Sequence, residues 1–382
     1  MLPLLPVALL LVILLVIVLE RSPRTAPSCD ALQIRGADIS FTLQEESVGA
    51  KYSDSGVTMP LERILAARGA TYVRLRAWVN PPPGYSDTRA ALELARRAKA
   101  AGLKIFLNLQ YSDFWADAKK QSTPAAWRGL DLPSLSGVVR DYTRRTVEDF
   151  ARQGTPVDMI QIGNEVTNGM LWPAGQIYRQ TGENWVDFVA LLNAGIAGAR
   201  EGNLDPEHRL NVVIHFDRGG DNDGARYFFD RILSAGVTVF DGIGLSYYPF
   251  WHGTLGGLRR NLDDLASRYG KELILVEAAY PWTLEGGVAD LGVSQRGELP
   301  QSRRYPPTVS GQERFFSSLR RIMAEVPDRR GAGLFVFEPG WLPGVGWEPG
   351  GADPWANLTM FDWTGQMLPA LAVALAPPAT PC

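Results

Sequence analysis

Two cysteines and three histidines in 382 residues leave little material for a disulfide scaffold or a zinc centre. The histidines, His208, His215 and His252, are isolated, so a metal-dependent hydrolase would lack its ligand set. Lysine is equally scarce, and Lys104 and Lys271 fall at the beginnings of apolar runs, the wrong end of a barrel strand for Schiff-base chemistry. Excess charge of one sign is missing too: 38 basic against 41 acidic residues give a net charge of −3. That balance excludes the electropositive surface that nucleic acid needs and points to an uncharged or small partner. No G-x-G-x-x-G follows the first apolar run, and no Gly/Ser or Pro linker divides the chain. No cofactor and no metal are expected.

What the chain does have is an uncharged apolar run over residues 1–19, long enough at about 1.5 Å per residue to cross a roughly 30 Å hydrocarbon layer. We read residues 1–30 as a signal peptide or N-terminal membrane anchor with a short linker, and residues 31–382 as one catalytic domain. Arg21 and Arg24 follow the run instead of preceding it, and no A-x-A cleavage site is visible, so cleavage and retention both stay open. The expected location is extracytoplasmic, secreted or membrane-attached. A pairing of Cys29 with Cys382 and two unpaired thiols are likewise both open.

Short β-like runs alternate with longer helical ones from about Leu32 onward. Eight strands are expected: Gln33 to Ile39, Tyr72 to Trp78, Lys104 to Leu109, Asp158 to Ile162, Leu210 to His215, Gly242 to Ser246, Leu273 to Val276 and Leu334 to Phe337. Helical patterns over Arg89 to Ala101, Val138 to Arg152, Trp185 to Arg200, Leu255 to Tyr269 and Gln312 to Ala324 separate them. The pattern is that of an α/β protein, a single (β/α)8 TIM barrel.

In such a barrel chemistry sits where strands end, and two glutamates end strands there. Glu165 closes the fourth, after Asn164, and Glu277 the seventh. A carboxylate ending an apolar strand is costly to desolvate unless paired or used. Two of them across one barrel mouth suit glycosidic bond cleavage. Arg74, Arg76 and Trp78 share parity and hence one face of the second strand; Arg76, nearer the strand end, is expected to hold Glu277 ionised. Asn164 is expected to hydrogen-bond a sugar 2-hydroxyl. Of Tyr247 and Tyr248, one hydroxyl should orient the nucleophile and the other pack; we assign Tyr247 to the site. His215 is a candidate sugar ligand, with a structural role as its alternative. Trp251, Trp282 and Trp341 are the foremost of eight loop tryptophans expected to stack on pyranose rings.

Longer blocks extend this pattern. Gln161 to Pro173 (QIGNEVTNGMLWP), Asp241 to Leu255 (DGIGLSYYPFWHGTL) and Val276 to Thr283 (VEAAYPWT) resemble signature segments of glycoside hydrolase family 53, the endo-β-1,4-galactanases. Arg74 to Pro81 (RLRAWVNP) and Tyr111 to Asp117 (YSDFWAD) add to the resemblance, which spans about Gln33 to Leu371. It implies a retaining endo-hydrolase of β-1,4-galactan side chains of pectin, with Glu165 as acid/base and Glu277 as nucleophile. A monomer acting on polysaccharide is expected. Where the family commonly has Asp-x-His this chain reads Asn108-Leu109-Gln110, and Phe337 replaces a usual Trp. Both departures predict weaker substrate binding. The segment from Leu284 to Arg304 has only dispersed acids, Glu285, Asp290 and Glu298, so no calcium is expected there.

Overall fold

The computed structural model describes residues 32–237, 239–288 and 292–378. Eight parallel strands close into a barrel: β1 (Ile34–Asp38), β2 (Tyr72–Ala77), β3 (Lys104–Leu109), β4 (Met159–Ile162), β5 (Asn211–Phe216), β6 (Gly242–Tyr247), β7 (Glu272–Ala278) and β8 (Gly331–Val336). Each is followed by a helix: α1 (Leu61–Ala67), α2 (Thr88–Ala100), α3 (Leu132–Arg152), α4 (Trp185–Gly202), α5 (Asn222–Ser234), α6 (Leu255–Tyr269), α7 (Val309–Ala324) and α8 (Pro369–Leu375). All eight strands expected from sequence are present, with ends displaced by a few residues. Three of the helices, α1, α5 and α8, lie outside the helical patterns read from sequence; α1 and α8 have only seven residues each, too short to show a clear period. The hydrophobic run, Cys29 and Cys382 lie outside the described residues. Among the described residues no helix is long and apolar enough to cross a membrane.

The helix α2 shows why these segments fold as they do. Asp87 caps it by accepting a hydrogen bond from the Ala90 amide at 2.8 Å, and Arg97 and Lys99 sit in its last turn, where the helix dipole favours cations. Its buried residues, Ala91, Leu94, Ala95 and Ala98, recur at helical spacing and face the barrel. Burying Leu94 contributes about 2 kcal/mol.

Strand alternation divides the barrel interior into two zones. Ile34, Tyr72, Phe106, Met159, Val213, Ile274, Val276 and Phe335 form an apolar plug. Two residues further along several of the same strands the inward positions turn polar: Arg74 above Tyr72, Asn108 above Phe106, Gln161 above Met159, His215 above Val213. The plug is tight. A Cβ on Gly36 would come within 2.4 Å of the Phe335 ring, so only glycine fits there. Between β6 and β7 the register slips at Leu245/Ser246, so that Leu245 faces Leu275 but Ser246 faces Glu277. This bulge turns Glu277 toward the barrel axis although its neighbour Val276 already points inward.

The long segment after β8 folds back, taking hydrogen bonds from the Trp115 indole and the Trp282 amide, and brings a carboxylate near a buried one. Glu45, only 1% exposed, lies in the short helix after β1, and Asp353 lies in the returning segment. Burial and the neighbouring charge of Asp353 push Glu45 from 4.5 up to about 9, and burial raises Asp353 to about 7. A carboxyl whose folded pKa exceeds its unfolded one binds more protons when native, so stability present at low pH is lost as pH rises toward the folded value. Thermal melts across about pH 5 to 9 should therefore show the melting temperature falling with pH, and Glu45→Gln should flatten that fall; equal slopes in the two proteins would contradict the assignment.

Candidate active site

Glu165 follows β4 through Gly163 and Asn164, and its own backbone is left-handed, φ 47° and ψ 51°. For a residue with a long side chain that conformation costs of order 1–3 kcal/mol and persists only where the surroundings impose it. Here they do. The Glu165 amide donates to His215 Nδ1 at 3.2 Å, and Gln121 Nε2 donates to the Asn164 carbonyl at 2.7 Å. Because Nδ1 of His215 accepts from an amide, its proton sits on Nε2, which donates to Ser246 Oγ at 2.8 Å. Ser246 in turn donates to Glu165 Oε1 at 2.6 Å. With Oε1 committed as an acceptor, a proton carried by Glu165 sits on Oε2. Burial and the charge of Arg74 hold His215 well below its ordinary pKa, so it stays neutral in this chain of donors.

Glu277 is gripped from the other side. Arg74 pairs with its Oε1 at 2.8 Å, and Tyr248 Oη donates to its Oε2 at 2.8 Å. Arg74 is itself fully buried and completes its contacts with Asp38 at 2.7 Å and with Gln161 Oε1 and Asn164 Oδ1, each at 3.1 Å. Ser246 Oγ lies 2.6 Å from one glutamate and 3.5 Å from the other, which keeps those two carboxylate oxygens within about 6 Å of each other. That fits the roughly 5–5.5 Å spacing of a pair that retains configuration.

The two carboxyls face different surroundings. Burial raises both, and the charge of Glu277 adds to the rise at Glu165. Against burial, Arg74 and the Tyr248 hydroxyl draw Glu277 back down, whereas Glu165 has no cation beside it among the causes that shift it. The first proton lost as pH rises therefore leaves Glu277, and Glu165 retains its own.

Several side chains stand elsewhere than the sequence suggested. Arg76 does not reach Glu277; it pairs with Glu338 at 3.0 Å inside a cage of Phe41, Trp78 and Trp115 rings, 4.5–4.9 Å from its guanidinium carbon. Arg74, two residues deeper on the same face, holds the carboxylate. Tyr247 points into the wall, donating to the Gly253 carbonyl at 2.9 Å and stacking on Phe315, while Tyr248 meets Glu277. His215 is fully buried and orients Glu165 and Ser246 rather than facing the cleft. Trp341 is also fully buried, its indole donating to the Val345 carbonyl at 2.6 Å, behind the stacked Trp115 and Trp347. Trp251 is 50% exposed and sits edge-on to Tyr248, and Trp282 is half-buried. Asn164 uses one amide hydrogen on the Ala116 carbonyl at 2.9 Å and keeps the other.

The departures also separate. Asn108 lies in the polar floor, donating to Asn164 Oδ1 at 3.1 Å. Gln110 instead accepts from the Trp78 indole at 2.7 Å and the Ala116 amide at 3.1 Å, anchoring the loop after β3 away from the carboxyl pair. Phe337, 5% exposed, packs edge-on to Tyr248 and Trp355. Asp38, Gln161, Ser246 and Glu338 were not singled out from sequence. The parity of inward positions on β1, β4 and β6 marks the first three; Glu338, just past β8, has no such signal because its left-handed backbone, φ 41°, breaks the alternation.

A close carboxyl pair, one member held by arginine and the other keeping its proton, at the C-terminal mouth of a (β/α)8 barrel defines a glycoside hydrolase. Comparison with known proteins is specific. The sequence profile of Glycosyl hydrolase family 53 matches residues 34–374. An uncharacterized protein of Niallia circulans is 42% identical over 88% of this chain and 91% of its own. The arabinogalactan endo-β-1,4-galactanase of Humicola insolens is 36% identical over 90% of this chain and 99% of its own. A solved fungal β-1,4-galactanase superposes with a TM-score of 0.79 at 36% identity, covering 90% of this chain and 99% of that one. The chain belongs to glycosyl hydrolase family 53.

The donor chain to Glu165 has a pH signature. Ser246→Ala removes a hydrogen bond that favours the ionised form, so the pKa of Glu165 rises and the basic limb of the kcat/KM profile moves to higher pH. A shift of that limb to lower pH, or none, would show that Ser246 does not tune Glu165.

Proposed function

We propose that this chain is a retaining endo-β-1,4-galactanase acting on galactan side chains of pectin, with Glu277 as nucleophile and Glu165 as acid/base. The observation that carries the reading is the unequal grip on the two carboxyls: an arginine and a phenol on Glu277, a single hydroxyl on Glu165. Glu277 attacks the anomeric carbon from one face of the sugar while Glu165 passes its Oε2 proton to the departing glycosidic oxygen. The covalent glycosyl-enzyme forms, and Glu165, now ionised, takes a proton from the water that releases the sugar with its configuration retained. The free amide hydrogen of Asn164 is the donor we assign to the sugar 2-hydroxyl. Relatives named as arabinogalactan endo-β-1,4-galactanases support the substrate class.

Trp251 and Trp282, with Trp172 and Trp347 also partly exposed, offer ring faces to pyranoses. We assign them to an open trough, which implies cleavage within the polymer and no cofactor. Export of a monomeric enzyme, with residues 1–19 as signal or anchor, is part of the same proposal, since a polymeric substrate lies outside the cell; N-terminal sequencing of the enzyme from culture medium and from membranes tests it.

Proton NMR of the first products from linear galactan should show the β-anomer appearing before mutarotation, together with mixed oligosaccharides at early time. The α-anomer first, or galactose alone, would overturn the reading. Glu277→Ala should abolish turnover with the fold intact by circular dichroism.

A further inference from the structure

A cavity of about 930 Å³ opens between the segments that follow β3 and β4. It adjoins the catalytic centre through one side chain: Gln121 lines it, and the same Nε2 supports the Asn164 carbonyl. The Trp172 amide donates to the Gln121 carbonyl at 2.7 Å, and the Trp172 indole donates to the Asn168 carbonyl at 2.8 Å, so that ring is fixed on the cavity wall, to which the nearly buried Trp127 contributes. A neutral polysaccharide needs nothing more than such walls and a few hydrogen bonds.

The cavity nevertheless carries an uncommitted positive charge. Lys119, Lys120 and Arg128 line it, are exposed, and make no ion pair among the described residues. The other lining cation, Arg179, is taken up by Asp187 at 3.7 Å and by the carbonyls of Pro173 and Gln176. The remaining lining acid, Asp131, caps α3 by accepting from the Ser134 amide at 2.9 Å. Three free cations thus face a pocket in a chain whose overall charge is −3. Such a local field concentrates anions and gains most where water is partly excluded.

From this geometry we propose that the cavity is a subsite for a carboxylate-bearing sugar, a uronate carried by the polysaccharide. Trp172 contacts the pyranose ring and Lys119, Lys120 and Arg128 its carboxylate. The inference deepens the assignment of the cleft to galactan and rests on it: the cavity would let the enzyme work close to acidic positions of a mixed polymer instead of only on neutral stretches.

The triple variant Lys119→Gln/Lys120→Gln/Arg128→Gln changes exposed side chains only. Calorimetric titration of the enzyme with galacturonate oligosaccharides should show binding that the variant weakens at least about fivefold and that rising salt weakens in the wild type. Inorganic phosphate should bind far more weakly than the oligosaccharide. The kcat/KM for uronate-bearing galactan should fall in the variant while that for neutral linear galactan stays within about twofold. Equal binding of uronate by both proteins overturns the proposal, as does phosphate binding as tight as that of the uronate, or a parallel loss on both polymers. Failure of the wild type to cleave neutral galactan would instead sink the galactanase reading, and the titration would still decide on the subsite.

Discussion

Arg74 is the constraint on which the rest of the centre depends. It is fully buried, with Asp38 on one side and Glu277 on the other, each within 2.8 Å. A guanidinium so placed is tolerable only if its partners are present and satisfied; removing one partner of a buried pair costs about 3–5 kcal/mol. The Arg74 fork also reaches Gln161 and Asn164, so the polar floor of the barrel is built around it. The charge held on Glu277 and the orientation of Asn164, the residue preceding Glu165, are consequences of the same side chain. Enzymes that separate the roles of two carboxyls do so by environment, and here Arg74, with the Tyr248 hydroxyl, makes the difference.

A second arginine–carboxyl pair stands nearer the opening and does different work. Arg76 and Glu338 meet beneath the aromatic cage, and burial with the nearby Asp38 drives Glu338 well above the usual carboxyl range while Arg76 pulls it back. The stack of Trp115, Trp341 and Trp347 rises from that cage. Arg76, which holds Glu338, also anchors rings of the aromatic wall through cation–π contacts, while Arg74, two residues deeper on the same strand, holds Glu277 in the polar floor.

Much of this was legible in the residues. Strand period and helix spacing suffice for the barrel, because short β-like runs alternate regularly with longer helical ones. Glu165 and Glu277 stand out because a carboxylate after an apolar run has few structural excuses. What did not show was height and local twist. Arg74 and Arg76 share a face and differ by two residues, about 6.6 Å along the strand, so parity alone does not choose between them. The height of Glu277 depends on the slip between Leu245 and Ser246, and that bulge has no sequence mark of its own. Tyr247 and Tyr248 straddle the end of β6, and continued alternation from the inward Ser246 puts Tyr248 on the axis and Tyr247 in the wall. His215 and Trp341 were placed in the cleft by residue type, and their complete burial moves them behind it.

The most direct test is to trap the covalent intermediate. A galactose-configured 2-deoxy-2-fluoro glycoside with a good leaving group slows release of the sugar, and peptide mass mapping then locates the label. The account requires one sugar per enzyme, attached to Glu277, with labelling abolished in Glu277→Ala. A label on Glu165, or product forming with inverted configuration and no trapped species, would contradict it.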